Sequence, residues 1–382
     1  MDKESKGTWS DCVYEIIHGL DLTRTYTYPP VDDNVARAYI VFSDGSSVER
    51  SLPLLQGGDA FDGSGSIRSC VKDMLTWCKT IIAASNSPAS SKEEGVEAVP
   101  AVLLESTEQL SRHNLLKAIR IIQQPQIPLA LDKSQSYGLG LYSFRLPTKE
   151  INTVTNAPDV TNSYILGAES APRAVLGRSG DLGGFTSAYW AFPETESAVV
   201  VMTNASSVDG DPSNIVAQAL TQALFALTPE VDFVEIAVQA TAAAKGRWQS
   251  TVHTWKSKRQ RGTIPKELIA YVGSYTSTDL HMTLHVSIAT NHSSSESPEL
   301  QLCINDLPDQ NLSLYHYHRD TWSFLPKSRD ECLAMGLGVY IPSWQTFNFE
   351  FDRFAVDNFR GILWTMDLDP RVGPQVFSRI GP

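Results

Sequence analysis

The sequence predicts a mixed α/β (α+β) chain, with an antiparallel sheet flanked by helices and then a carboxy-terminal antiparallel β-barrel-like domain. Three observations carry this. Phe185 to Phe192 and Ser197 to Thr203 are short apolar runs split by Pro193-Glu194-Thr195-Glu196, the pattern of paired antiparallel strands. In residues 69–82, Val71, Met74, Leu75, Cys78, Ile81 and Ile82 recur at helical spacing and form one apolar face. From Tyr271 onward, strand-like runs between turn residues replace helical periodicity. The 382 residues fit two domains, 1–262 and 263–382.

Each element follows from local pattern. TWSDCVYEIIH, residues 8–18, reads as a helix capped by Thr8 or Ser10 and closed by Gly19. Val35 to Phe42 and Val48 to Leu52, joined by Ser43-Asp44-Gly45, read as a hairpin. A glycine-rich loop over 57–66 leads into the 69–82 helix, residues 85–100 are low-complexity loop, and a helix over 110–123 ends at Pro125. Tyr137-Gly138-Leu139-Gly140-Leu141 starts a strand. Ser197 to Thr203 is apolar almost without alternation, which places it at the centre of a sheet covered on both faces. Asp211-Pro212-Ser213 opens a helix through Leu227, and Asp232 to Trp255 is a second, Ala-rich one. The cationic run Lys256 to Arg261 reads as a solvated linker. Strands are expected near 271–275, 280–288, 300–304, 312–317, 322–324, 347–354 and 361–366.

Several of these stretches together resemble the class C β-lactamase-related, penicillin-binding-protein-like serine hydrolase family. They are Leu20 to Thr25, similar to its "LGMTRT" element; the D-M-L-x-W helix at Asp73 to Trp77; Tyr137 to Leu141, similar to its Y-G-x-G-W; and Arg178-Ser179-Gly180 followed by Gly183-Gly184-Phe185 and the Val199 to Asn204 strand. The family includes esterases and acyltransferases of small-molecule biosynthesis. The resemblance implies a partial β-lactamase/transpeptidase-like fold, a lipocalin-like barrel after it, and hydrolysis or transesterification of a small ester or amide. Its "LGMTRT" element follows the first two catalytic motifs, so the resemblance also implies that the chain begins in the middle of that fold.

Serine enzymes of this kind use Ser-x-x-Lys, because residues i and i+3 share a helix face and a desolvated Lys takes the hydroxyl proton. Ser69-Cys70-Val71-Lys72 is the one match, and thirteen lysines yield about one by chance. Ser69 also reads as the N-cap of its helix. No Tyr-x-Asn or Ser-Asp-Asn occurs. The third motif remains. Arg178, Ser179 and Gly180 would form a cleft wall, and the Asp181 N–H would be one oxyanion donor. Arg keeps its proton, so Arg178 attracts anions and donates hydrogen bonds but is no base. Three readings stay open: a hydrolase or acyltransferase, a non-catalytic member (a pseudoenzyme binding a ligand or partner), and chemistry recruited around Arg178.

Other chemistries fit less well. Position 181 is Asp, which removes the nucleophile elbow after Gly177-x-Ser179. His316-x-His318-x-Asp320 lacks a sixth-position His, and with His281 and His285 it reads as outward barrel polarity rather than a metal set. No cofactor motif is present. Five scattered cysteines fit neither zinc nor disulfide spacing. A net charge of −12 argues against nucleic acid. Without a signal-peptide core or a membrane-length apolar run, the chain is expected to be cytoplasmic, and apolar surface left by half a sheet favours a homo-oligomer.

Overall fold

Two helical layers on opposite faces of one antiparallel sheet organise the amino-terminal part of the chain. The computed structural model describes residues 9–27, 33–50, 62–86, 119–129, 135–148, 164–206, 211–290, 299–307, 311–335, 343–353, 359–366 and 373–381. The expected glycine-rich loop up to residue 61, the low-complexity loop beyond 86 and helix residues 110–118 lie outside these. The chain divides into two compact units, Met1–Ala243 and Ala244–Pro382.

The first unit opens with α1 (Trp9–Gly19), the β1–β2 hairpin (Ala38–Val41, Ser47–Arg50), a single turn α2 (Asp62–Gly65) and α3 (Val71–Asn86). Residues 119–123 are helical. Six strands follow: β3 (Ile127–Pro128), β4 (Gln135–Tyr137), β5 (Tyr142–Leu146), β6 (Arg173–Leu182), β7 (Phe185–Phe192) and β8 (Ser197–Thr203). They pair in sequence order, each antiparallel to the next. A short β9 (Ala205–Ser206) pairs in parallel with β1. Then come α4 (Pro212–Phe225) and α5 (Phe233–Lys258).

Alternation along the strands divides the core in two. Val175, Ala188, Trp190 and Val199 pack with Ala217 of α4. Leu176 and Ala191 pack with Cys78, Ile81 and Ile82 of α3. This corrects the expectation for Ser197–Thr203. The strand is covered on both faces, but it is the edge of the six-stranded sheet, not its centre. An unbroken apolar run reports cover above and below, and helices supply that at an edge as well as in the middle.

The second unit is a closed barrel of eight strands: β10 (Gly273–Ser277), β11 (Met282–Ile288), β12 (Leu300–Ile304), β13 (Asn311–His318), β14 (Thr321–Ser323), β15 (Asn348–Arg353), β16 (Phe359–Trp364) and β17 (Gln375–Ile380). A short helix, α6 (Arg329–Ala334), lies between β14 and β15. Aromatic side chains fill the interior, among them Tyr271, Tyr275, Trp322, Phe349, Phe351 and Phe377. Sequence reading missed β17, which closes the barrel against β10. Of its six residues Phe377 alone is buried, too weak an apolar pattern to announce a strand.

Two further expectations change. Lys256 and Lys258 end α5, where cations favour the helix dipole. Arg259 then donates to the carbonyls of Tyr317 (3.0 Å) and His316 (2.7 Å), so the cationic run is anchored rather than a loose linker. His281 lies in the turn before β11 rather than on the strand face with His285, and Asp320 accepts from the Tyr271 hydroxyl at 2.7 Å. Among the described residues no group of three His, Cys, Asp or Glu side chains is placed to hold a metal ion. No described helix is long and apolar enough to cross a membrane.

The β6–β7 hairpin turns on Gly183 and Gly184, both at positive φ (44° and 109°). A Cβ at Gly184 would lie 2.7 Å from that of Ala38, so the turn packs directly on β1. Gly184→Ala combines backbone strain with this overlap and is expected to cost about 1–3 kcal/mol. Urea unfolding checks this, and an unchanged midpoint would rule out the close approach.

Candidate functional site

The site is built on the far half of β6. Strand β5 accompanies β6 only as far as Gly177, opposite Tyr142, while β7 continues to Leu182. A two-residue hairpin with both turn residues at positive φ closes on a hydrogen-bonded pair, here Leu182 and Phe185. Hydrogen-bonded pairs alternate along an antiparallel ladder, so Gly180 and Arg178 direct their peptide groups to β7. Ser179 and Asp181 direct theirs to the opposite edge, where β5 has ended. The Asp181 peptide N–H is thus a donor that the strand directs to that edge.

Side chains alternate at right angles to those peptide groups. Arg178 extends on the α3 face. It donates to the Tyr137 hydroxyl (3.1 Å) and the Gly140 carbonyl (3.2 Å), with its guanidinium carbon 6.0 Å from the Tyr137 ring centroid. Its cross-strand neighbour is Tyr189, whose hydroxyl burial pushes up to about 12. The stretch that holds this cation, Tyr137 to Gly140, is the one that the sequence names as a strand start.

Ser179 goes the other way, which corrects its assignment to one wall with Arg178. Its side chain is buried at 5% exposure under α4, where Asn214 Nδ2 donates to Oγ at 3.0 Å. Gln218 Nε2 donates to Asn214 Oδ1 (2.7 Å), and the Tyr164 hydroxyl donates to Gln218. Beside this chain, the Thr186 hydroxyl is 2.6 Å from that of Ser213 and 2.7 Å from that of Thr203. Two polar chains thus join β6, β7 and β8 to α4. Sequence reading missed Asn214 and Gln218. The available signal was two amides at i and i+4, on the helix face that also carries Ser213 and Thr221.

Asp211 caps α4, accepting from the Asn214 N–H at 3.0 Å, with Pro212 at the first helical position. It is fully buried. Desolvation raises its carboxyl to about 7; the Asn214 N–H opposes this and the nearby charge of Asp181 adds to it. Burial raises Asp181 as well. Two carboxyls, one from the strand and one from the helix cap, share a poorly solvated space.

Ser69 and Lys72 are not brought to this strand by any described contact. Met74 N donates to the Cys70 carbonyl, which makes Cys70 the cap of α3, so Ser69 lies one residue too early for the expected capping role. Its Oγ is 2.7 Å from the Thr25 hydroxyl, and Thr25 donates to Asp73 Oδ2 at 2.8 Å. The Arg24 N–H donates to the same oxygen at 2.7 Å. Buried Asp73 thereby ties the Leu20–Thr25 element to the first turn of α3, and Ser69 belongs to that joint. Lys72 is exposed.

A family model described as beta-lactamase matches residues 4–223, more than half of the chain. No curated protein matches the sequence. Similar solved structures include the octameric penicillin-binding protein homologue from Pyrococcus abyssi, at 14% identity and TM-score 0.38 over 97% of this chain and 60% of that one. A class C beta lactamase from Rhodobacter sphaeroides is similar at 16% identity and TM-score 0.37, over 57% of this chain and 54% of its own. A D-stereospecific amidohydrolase from Streptomyces sp. gives 13% identity and TM-score 0.35, over 57% and 48%. The chain thus spans only about half to three fifths of the length of these structures.

Asp211 gives the first unit a pH dependence. Its pKa is higher folded (about 7) than in the unfolded reference (3.8), so folding stability is greatest below pH 4 and falls as pH rises towards 7. The full cost of ionisation is about 4 kcal/mol. Asp211→Asn keeps the capping oxygen and is expected to flatten this slope, while remaining at least as stable at pH 8. Denaturant midpoints at pH 5 and pH 8 for both proteins test this; equal slopes would sink it.

Proposed function

We infer that this chain, which belongs to the beta-lactamase family, binds a small carboxylate-bearing ester or amide at the open edge of β6, and that Ser69 is not the group it acylates. The reaction class expected of such a site is hydrolysis or transesterification. The observation that carries the reading is the end of β5 at Tyr142, beyond which the Asp181 peptide group points away from β7 while Arg178 extends on the α3 face.

The chemistry runs from those groups. A ligand carbonyl oxygen accepts from the Asp181 N–H, and oxyanion character strengthens that bond because the donor is already fixed in the strand. Arg178 supplies a charge that persists at every working pH, and its guanidinium can pair with a carboxylate on the same ligand. Tyr137 and Gly140 hold it in place, so little side-chain entropy is lost on binding. For Ser69 the contacts point elsewhere. The hydroxyl is spent on Thr25, within the Asp73 joint, and a serine so engaged has no base beside it.

Benzylpenicillin, which carries both an amide carbonyl and a carboxylate, is a suitable calorimetric probe. Arg178→Ala is expected to weaken its binding about tenfold, the value of one charge-assisted hydrogen bond, and Ser69→Ala to leave it unchanged. A covalent penicilloyl adduct on the Ser69 peptide in mass spectrometry, or wild-type affinity in Arg178→Ala, would overturn the reading.

A further inference from the structure

The outer wall of the barrel carries a second constellation, independent of strand β6 and of the family reading. Ser274 on β10, His285 on β11 and Cys303 on β12 are direct cross-strand neighbours, and Ile380 of β17 lies beside Ser274. Directly paired residues share a face of the sheet. Their chain neighbours Tyr275, Leu284, Val286 and Leu302 are buried inside, so the row faces outward. Ser274 Oγ is 2.8 Å from His285 Nδ1, and His285 Nε2 is 3.3 Å from Asp306 Oδ1. Asp306 is held by the left-handed pair Asn305-Asp306 (φ 54° and 56°). That turn is pinned to β11, because Asn305 N donates to the Thr283 carbonyl and Thr283 N to Asn305 Oδ1.

In the tautomer with the ring proton on Nε2, that N–H faces the Asp306 carboxylate and Nδ1 presents its lone pair to the Ser274 hydroxyl. Nucleophile, base and orienting group therefore stand in series. We propose that Ser274, His285 and Asp306 form an acyl-transfer site for esters of short apolar acids. Ser274 Oγ attacks the ester carbonyl carbon while its proton passes to His285 Nδ1. The carbonyl–oxygen bond to the leaving alcohol breaks, and the alcohol departs with that proton. Water then attacks the acyl-serine, gives a proton to His285, and releases the carboxylic acid as Ser274 recovers its hydrogen. Asp306 is a positioning residue that fixes the ring and balances the imidazolium charge. Ile380 and Leu307, 54% and 46% exposed, flank the row and provide the apolar surface for the acyl chain.

The full chain is treated with an alkyl fluorophosphonate and the adduct is located by peptide mass mapping, with p-nitrophenyl butyrate hydrolysis as a second readout. The adduct is expected on the Ser274 peptide and is lost in Ser274→Ala. His285→Gln slows both reactions about 100-fold, the usual contribution of a general base. Asp306→Asn slows them less, through kcat with KM unchanged, and Asp306→Glu restores the rate, which a merely structural role would not do. Cys303→Ser retains both activities. Absence of an adduct at Ser274, labelling at the wild-type rate in His285→Gln, or loss of activity in Cys303→Ser would each overturn the proposal.

Discussion

Strand β6 is clamped between two apolar layers, and that clamp decides what every later residue of the strand can do. Val175 is buried against the α4 layer and Leu176 against the α3 layer, so the phase of the alternation is fixed before the motif begins. Arg178 must then emerge towards α3, and Ser179 and Asp181 towards α4. Gly177 tightens the constraint. A Cβ there would sit 2.1 Å from the Tyr189 carbonyl oxygen, so β6 and β7 approach closely just where the motif starts. A slip of one residue would exchange Val175 and Leu176 between the two layers and bury the guanidinium beneath α4, away from Tyr137 and Gly140, a loss of several kcal/mol for the unpaired charge.

What the sequence disclosed follows from which forces leave a linear trace. Apolar periodicity marks Phe185–Phe192, Ser197–Thr203 and the helix expected over 69–82, which runs Val71–Asn86, because burial of a face is written at fixed spacing. The sequence could not say which strand lies at the edge, since two-sided cover looks alike at every position. It also named Arg178 but grouped it with Ser179, although neighbours on a strand face opposite ways. The polar partners were invisible for a different reason. Thr25 and Asp73 are 48 residues apart, and Ser179 and Asn214 are 35 apart, so no local pattern ties them. From the sequence His285 reads only as outward barrel polarity, because its partners Ser274 and Asp306 become neighbours once the barrel strands are in register.

The polar layer beneath α4 has a price that apolar packing would not have, and its arrangement shows what it returns. Apolar contacts are non-directional and would let α4 slide along the sheet by a fraction of a turn. Asn214 to Ser179, Ser213 to Thr186 and Tyr164 to Gln218 are directional bonds from one helix to three separate segments, and they are satisfied together only at one position. The cap of that helix, Asp211, is coupled to Asp181, whose own peptide group lies on the open edge of β6. Ionising Asp211 sets a charge in poorly solvated surroundings at the cap of that helix, a cost that apolar packing alone would not carry.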